Sequence, residues 1–276
     1  VDGVVAVDHT EGGAGHRPNN LELVLRTLAG FCVHPNVAAV VALDFGVEPV
    51  TNAQLSAYAA AKGYPLDAVP HAFLSVRHGI AAALEAGARH IAGWLEAECA
   101  TRRQPQPAAA LRLALQCGGS DAFSGIAGNP LAAWVAREVV RYGGAANLAE
   151  TDELIGAEPY VLQNVRDRAT AVRFLSMVDR FKARMAWHGE TPEANPSAGN
   201  KYRGLYNIAL KSIGAARKRD PQVRLDYCID YATPMRHPGY YFMDSPGNDL
   251  ESIAGPVAAG CNLIFFVTGN GSVTNF

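Results

Sequence analysis

Short apolar runs rich in β-branched residues alternate along this chain with longer stretches in which apolar residues recur at helical spacing. Residues 4–7 read as a buried strand. Leu21–Cys32 reads as a helix, with Leu21, Val24, Leu25 and Leu28 near one face and Asn19 or Asn20 as its cap. A strand over 37–43 follows, then a helix over Asn52–Lys62 opened by Thr51 and closed by Gly63. Residues 75–101 read as a long helical stretch interrupted near Gly87. After the polar, two-proline segment 102–107 the pattern predicts strands over 111–116, Ala145–Leu148, 223–229, 240–243 and Leu263–Val267. Between and beyond them it predicts helices over 130–142, 166–188, 205–218 and 249–259, with Pro130 suited to a first helical turn. Such alternation predicts an α/β fold of Rossmann-like parallel sheets with helices on both faces. The break at 102–107 divides the chain into two similar-sized α/β domains, 1–105 and 106–276. The absence of an initiator Met, and an end at Phe276 just after a glycine-rich turn, suggest missing flanks and a truncated second domain.

In open α/β sheets ligands bind outside the carboxyl ends of the strands. The segments there are polar and mostly carry glycine, which lets a backbone approach a ligand and expose its N–H groups. The first strand leads into Asp8-His9-Thr10-Glu11-Gly12-Gly13, and the second into Asp44-Phe45-Gly46-Val47-Glu48. Residues 111–116 lead into Cys117-Gly118-Gly119-Ser120-Asp121, and Ala145–Leu148 leads to Glu150-Thr151. Asp244-Ser245-Pro246-Gly247 and Thr268-Gly269-Asn270-Gly271-Ser272 close the later strands. The Cys117 loop is the leading candidate for a ligand or catalytic site. Each segment also has a plain structural use, since Ser, Asp and Thr cap helices and Gly-Asn pairs make turns. The loop 190–201 packs Asn195, Ser197, Asn200 and Lys201 into seven residues, a set able to hold a hydroxylated or carboxylated ligand or to form an ordinary surface loop. His9, beside Glu11, suits a metal ligand or a base; the other histidines show no ligand spacing.

Composition narrows the partners. Of 276 residues 49% are hydrophobic and 18% charged, which suits a sizeable core. The net charge is −2, so no nucleic-acid partner is expected, and the basic run Arg217-Lys218-Arg219 reads as a solvated helix end. No window approaches the roughly 20 apolar residues of a membrane span. Five scattered cysteines without a CxxC pair argue against a disulfide framework, and the expected location is the reducing cytoplasm.

Several ordered motifs then resemble one family. CGGSDAFSGIAGNP (117–130), AETDELIGAE (149–158), NPSAGNK (195–201), FMDSPGND (242–249) and TGNGS (268–272) resemble the altronate/galactarate dehydratases, as do 2–15 and 34–48 in the first half. The resemblance implies dehydration of a sugar acid such as galactarate or altronate, assisted by a divalent metal. Iron(II) is the family's usual metal, with Mn, Mg or Ca as alternatives. Where the family carries cysteines, this chain has Gly13 and Val47; where it has Thr-Gly-Arg-Gly, Asn270 replaces the arginine. Softer thiolate ligands are thus lost and carboxylate or imidazole gains weight. On this basis His9, Glu48 and Cys117 are the expected metal ligands, and His9, Asp121 and Lys201 the expected proton carriers. Gly118, Gly119, Ser120, Glu150, Thr151, Asn195, Ser197, Asn200, Asp244 and Thr268 are expected around the substrate. The expected partner is a small sugar acid, with neither nucleic acid nor membrane, and the assembly considered is a homodimer. Two alternatives stand: a sulfolactate-type carbon–sulfur lyase, and a sugar-acid binder that has lost its metal and its catalysis.

Overall fold

A computed structural model describes residues 3–9, 18–99, 104–272, 274 and 276. The chain divides into two compact units, Val1–Pro105 and Gln106–Phe276.

The first unit holds α1 (Leu21–Cys32), β1 (Val40–Asp44), α2 (Asn52–Lys62), β2 (His71–Ser75) and α3 (Ile80–Cys99). β1 and β2 pair in parallel, with Val40 opposite His71. Leu21, Val24, Leu25 and Ala29 of α1 pack with Leu55 and Ala59 of α2 in one apolar cluster. α2 starts and stops where its caps dictate. The Thr51 side chain accepts from Gln54 N, the Gln54 side chain accepts from Thr51 N, and Gly63 takes a left-handed φ of 70°.

Three expectations change here. β2 occupies part of a stretch read as loop and helix start, and α3 runs unbroken through Gly87. A Cβ at Gly87 would lie 3.6 Å from Leu74, so this glycine marks close helix–sheet packing rather than a break. Residues 4–7 form no strand; Val5 is 85% exposed. A four-residue apolar run satisfies the strand pattern, but a strand also needs a neighbour to pair with, which no local pattern reveals.

The second unit runs β3 (Arg112–Cys117), α4 (Ala122–Ile126), α5 (Gly128–Arg141), β4 (Ala145–Leu148), α6 (Glu158–Leu162) and α7 (Arg168–Trp187). It continues with α8 (Ala198–Tyr202), α9 (Ile208–Ala216), β5 (Leu225–Ile229), β6 (Gly239–Met243), α10 (Asp249–Ala258) and β7 (Leu263–Val267). All five strands are parallel, in the order β5-β6-β4-β3-β7. Alternate residues serve opposite faces. Leu113, Leu115, Ala146 and Leu148 pack with α5, α7 and α9, while Ala114, Tyr241 and Met243 face the other cluster beside α10. Burial on both faces explains why β6 reads as a continuous apolar run, and the α/β class with parallel sheets and helices on both faces holds. Among the described residues no helix is long and apolar enough to cross a membrane.

Candidate functional site

Because the five strands are parallel, their carboxyl ends share one edge. The chain leaves β3 for β4 on one side, whereas β7 lies on the other, so the crevice opens between the β3 and β7 loops. Hydrogen bonds from Gly118 N to Val267 O and from Gly269 N to Gly119 O, both 2.8 Å, lace these loops together. A Cβ at Gly118 would come within 2.6 Å of the Phe266 ring, so only glycine fits that approach. Asp121 then starts α4: its Oδ1 accepts from Ser124 N at 2.6 Å.

Beneath this loop lies a cluster of buried charge. Ligand atoms of Cys117, Glu150 and Glu153 all fall within 4.8 Å of one another. Glu150 Oε1 accepts from Gln116 Nε2 at 2.6 Å, and Oε2 accepts from Cys117 N at 2.8 Å. The Cys117 thiol meets Ser120 Oγ at 2.6 Å. Lys218 Nζ lies 3.8 Å from Glu150 Oε2, and Lys211 Nζ lies 3.0 Å from Glu153 Oε1. Both lysines are buried, Lys218 completely. Glu150 holds a left-handed backbone, φ 70°, which for a residue with a Cβ persists only under outside constraint. The constraint comes from Ser245: Thr151 N donates to its carbonyl at 2.9 Å, and its own N–H donates to Thr151 Oγ1 at 3.1 Å.

Four acidic groups here compete for two ammoniums. Burial, reinforced by the charge of Glu153, pushes the Glu150 carboxyl well above its ordinary range. Burial and Glu153 also raise Asp152 to about 6. The Cys117 thiol is pushed up, mainly by burial, so it holds its proton. For Lys211 and Lys218 burial favours the neutral amine. The charge of Glu153 outweighs it at Lys211, and the charges of Glu150 and Glu153 outweigh it at Lys218, so both stay ammonium. Glu153 Oε2 is buried with no hydrogen-bond partner. An unengaged carboxylate oxygen beside a thiol and a second carboxylate is a donor set that fits a divalent ion.

The expected site residues distribute unevenly. Cys117, Ser120 and Glu150 lie in the cluster. Asn200 links outward from it, donating to Ser120 O at 2.8 Å, and Lys211 Nζ lies 3.4 Å from its Oδ1. Asn195 Nδ2 donates to Asp152 Oδ2 at 2.5 Å. Gly118, Gly119, Asp121 and Thr268 line the β3–β7 loops, with Thr268 Oγ1 3.5 Å from Gly119 O. Thr151 donates to Asp244 Oδ1 at 2.6 Å, and Arg180 pairs with Asp244 Oδ2 at 2.5 Å. Ser197 caps the short α8, and Lys201 is exposed on it. His9 and Glu48 belong to the first unit. His9 is exposed. Glu48 accepts from Phe45 N at 2.7 Å and Val47 N at 2.9 Å. Burial would raise its carboxyl, but these backbone donors win and lower it. Gly13 lies outside the described residues.

Glu153, Lys211 and Lys218 escaped the sequence reading. Glu153 sits within the 149–158 motif, but only the tight turn Thr151–Leu154 carries it back toward Cys117. The basic run 217–219 is not a solvated helix end. α9 stops at Ala216 and the chain folds inward, leaving Lys218 0% and Arg219 1% exposed. Tyr240 Oη donates to Lys218 O at 3.0 Å, while Arg219 donates to the carbonyls of Tyr160, Val161, Asn164 and Val223.

Comparison with known proteins points to one family. Residues 108–276 match the family model described as D-galactarate/altronate dehydratase, C-terminal, and residues 1–98 match the D-galactarate dehydratase/altronate hydrolase second domain. The chain is 31% identical over 273 residues to an altronate dehydratase of Escherichia coli, covering 98% of this chain and 53% of that protein. It is 30% identical over 275 residues to the Bacillus subtilis altronate dehydratase, with 98% and 53% covered. A (2R)-sulfolactate sulfo-lyase subunit beta of Chromohalobacter salexigens is 29% identical over 275 residues, with 99% and 69% covered. The chain thus spans about half the length of the two altronate dehydratases.

Proposed function

The chain belongs to the D-galactarate/altronate dehydratase family, and from that premise we propose that it carries the reaction centre that eliminates water from a sugar acid such as altronate or galactarate. One observation supports this above the others: Cys117, Glu150, Glu153, Lys211 and Lys218 are buried together under a strand-end loop. Burying an ion carries a penalty of several kcal/mol even after relaxation, and hydrophobic replacements are often as stable. A fold that keeps four charged side chains there is keeping them for chemistry.

Dehydration removes the carbon-2 proton beside the carboxylate and breaks the carbon-3–oxygen bond. The bonding pair goes to hydroxide, which leaves as water after taking up a proton, and the resulting enol tautomerises to a 2-keto-3-deoxy acid. Asp121 suits the base, since its carboxylate lies against Gly269 in the crevice while only Oδ1 caps α4. Lys201 is the other proposed proton carrier of this unit. Lys211 and Lys218 supply fixed positive charge for the negative charge that develops on the substrate, and Lys211 returns a proton to the departing hydroxide. Cys117, Glu150 and Glu153 would hold a divalent ion, whose part when bound is to polarise the substrate's oxygens. Binding it requires the Cys117 proton to leave. Gly118, Gly119, Ser120, Asn195 and Asn200 orient hydroxyl groups.

The test is a screen of the full-length protein with altronate, galactarate and sulfolactate at several divalent-metal loadings, read by keto-acid formation and by sulfite release. Keto-acid formation from a hexonate or hexarate is the expected result. Sulfite release from sulfolactate alone would replace this reading with the carbon–sulfur lyase. Binding without turnover under every loading would make the protein a sugar-acid binder.

A further inference from the structure

Three elements meet at Gly119. The β3 loop passes through it, and the β7 loop lies against it through Gly269 N. The third is α8, which is pinned to the same loop by two bonds: Asn200 Nδ2 to Ser120 O, 2.8 Å, and Ala122 N to Arg203 O, 3.0 Å. The second bond fixes the backbone of Arg203, the residue that closes α8, at the start of α4. Its side chain then reaches the β7 loop. With the Asn270 amide nitrogen turned to Gly119 O, 2.9 Å, the Asn270 oxygen accepts from Arg203 Nη1 at 3.3 Å. A side chain at Gly199 would bring a Cβ to 3.4 Å from the same Nη1, so the glycine leaves the guanidinium room.

Among the described residues no carboxylate pairs with Arg203. The N–H groups of Gly119 and Ser120 donate to no protein atom there either. A fork of donors on a planar cation, held by one amide that also bonds a loop carrying two unengaged backbone N–H groups, suits a carboxylate. Lysine at this position could offer only a point charge.

We propose that Arg203 binds a carboxylate of the substrate, oriented for it by Asn270 beside Gly119 and Ser120. The inference rests on the dehydratase reading and adds a binding residue to it. In galactarate Arg203 touches the carboxylate remote from the carbon that loses its proton, whereas the buried cluster faces the reacting carbons. The arginine therefore sets affinity and preference for charged ends more than the rate of the chemical step.

The test compares full-length wild type with Arg203→Gln and Arg203→Lys. Calorimetric titration with galactarate, altronate and the uncharged galactitol is run alongside steady-state kinetics and melting temperature. Arg203→Gln should weaken galactarate binding and raise KM at least tenfold, with kcat within threefold and an unchanged melting temperature. Arg203→Lys should recover only part of the affinity, and galactitol should bind none of the three proteins measurably. Wild-type affinity for galactarate in a well-folded Arg203→Gln protein would overturn the assignment while leaving the dehydratase reading intact. Wild type that binds neither acid would overturn both.

Discussion

Glu150 and Glu153 each face a lysine, and all four side chains are withdrawn from water. Removing one partner leaves its counterpart buried and uncompensated, which typically destabilises by about 3–5 kcal/mol. Lys218→Met should therefore lower the urea midpoint substantially, whereas Glu150→Gln combined with Lys218→Met should lose less than the two single changes together. A strictly additive double mutant would show that the two side chains do not act as a pair. Glu150 was legible in the sequence because it directly follows a buried strand in a polar segment. Lys218 was not, because a basic triplet at a helix end has the pattern of a solvated cap; only the inward fold after Ala216 makes it a core ammonium. Glu153 was hidden by its spacing, three residues beyond Glu150, which a tight turn converts into proximity.

At the scale of elements, local chemistry was a good guide wherever it was self-contained. α2 runs between its capping box and its left-handed glycine, and β4 and β7 occupy the stretches their apolar runs predict. Pairing is the part a local pattern lacks. Residues 4–7 have strand-like composition yet lie exposed without strand structure, while β2, with His71 and Ser75 at its ends, is made a strand by β1 beside it. The start of α7 offers a test of capping by pH. Asp167 accepts from Thr170 N at 2.7 Å, and that backbone bond, aided by Arg166, lowers its carboxyl to about 2. A folded value below the unfolded one, about 3.9, means that stability is present above the unfolded value and is lost as pH falls through about 2. Thermal melts should show Asp167→Asn less stable than wild type at pH 6, with the gap closing toward pH 2. A gap that is constant with pH would contradict the cap's ionic character.

For the whole molecule, two compact units and a five-stranded parallel sheet follow from the alternation of apolar runs and helical stretches. The position of the crevice follows from strand order, which the alternation alone does not determine. The motif that first marked the site, Cys117 to Asp121, does lie at the switch between β3 and β7. Its thiol lies with Glu150 and Glu153, and Lys211 and Lys218 complete the charge. The central claim is that this buried cluster performs the dehydration. It is tested most directly by the kcat for keto-acid formation of Glu153→Gln against wild type, on full-length protein with matched melting temperatures. The account predicts a fall of at least a hundredfold, about 2.7 kcal/mol in the barrier. A folded Glu153→Gln protein that turns over at the wild-type rate would contradict it.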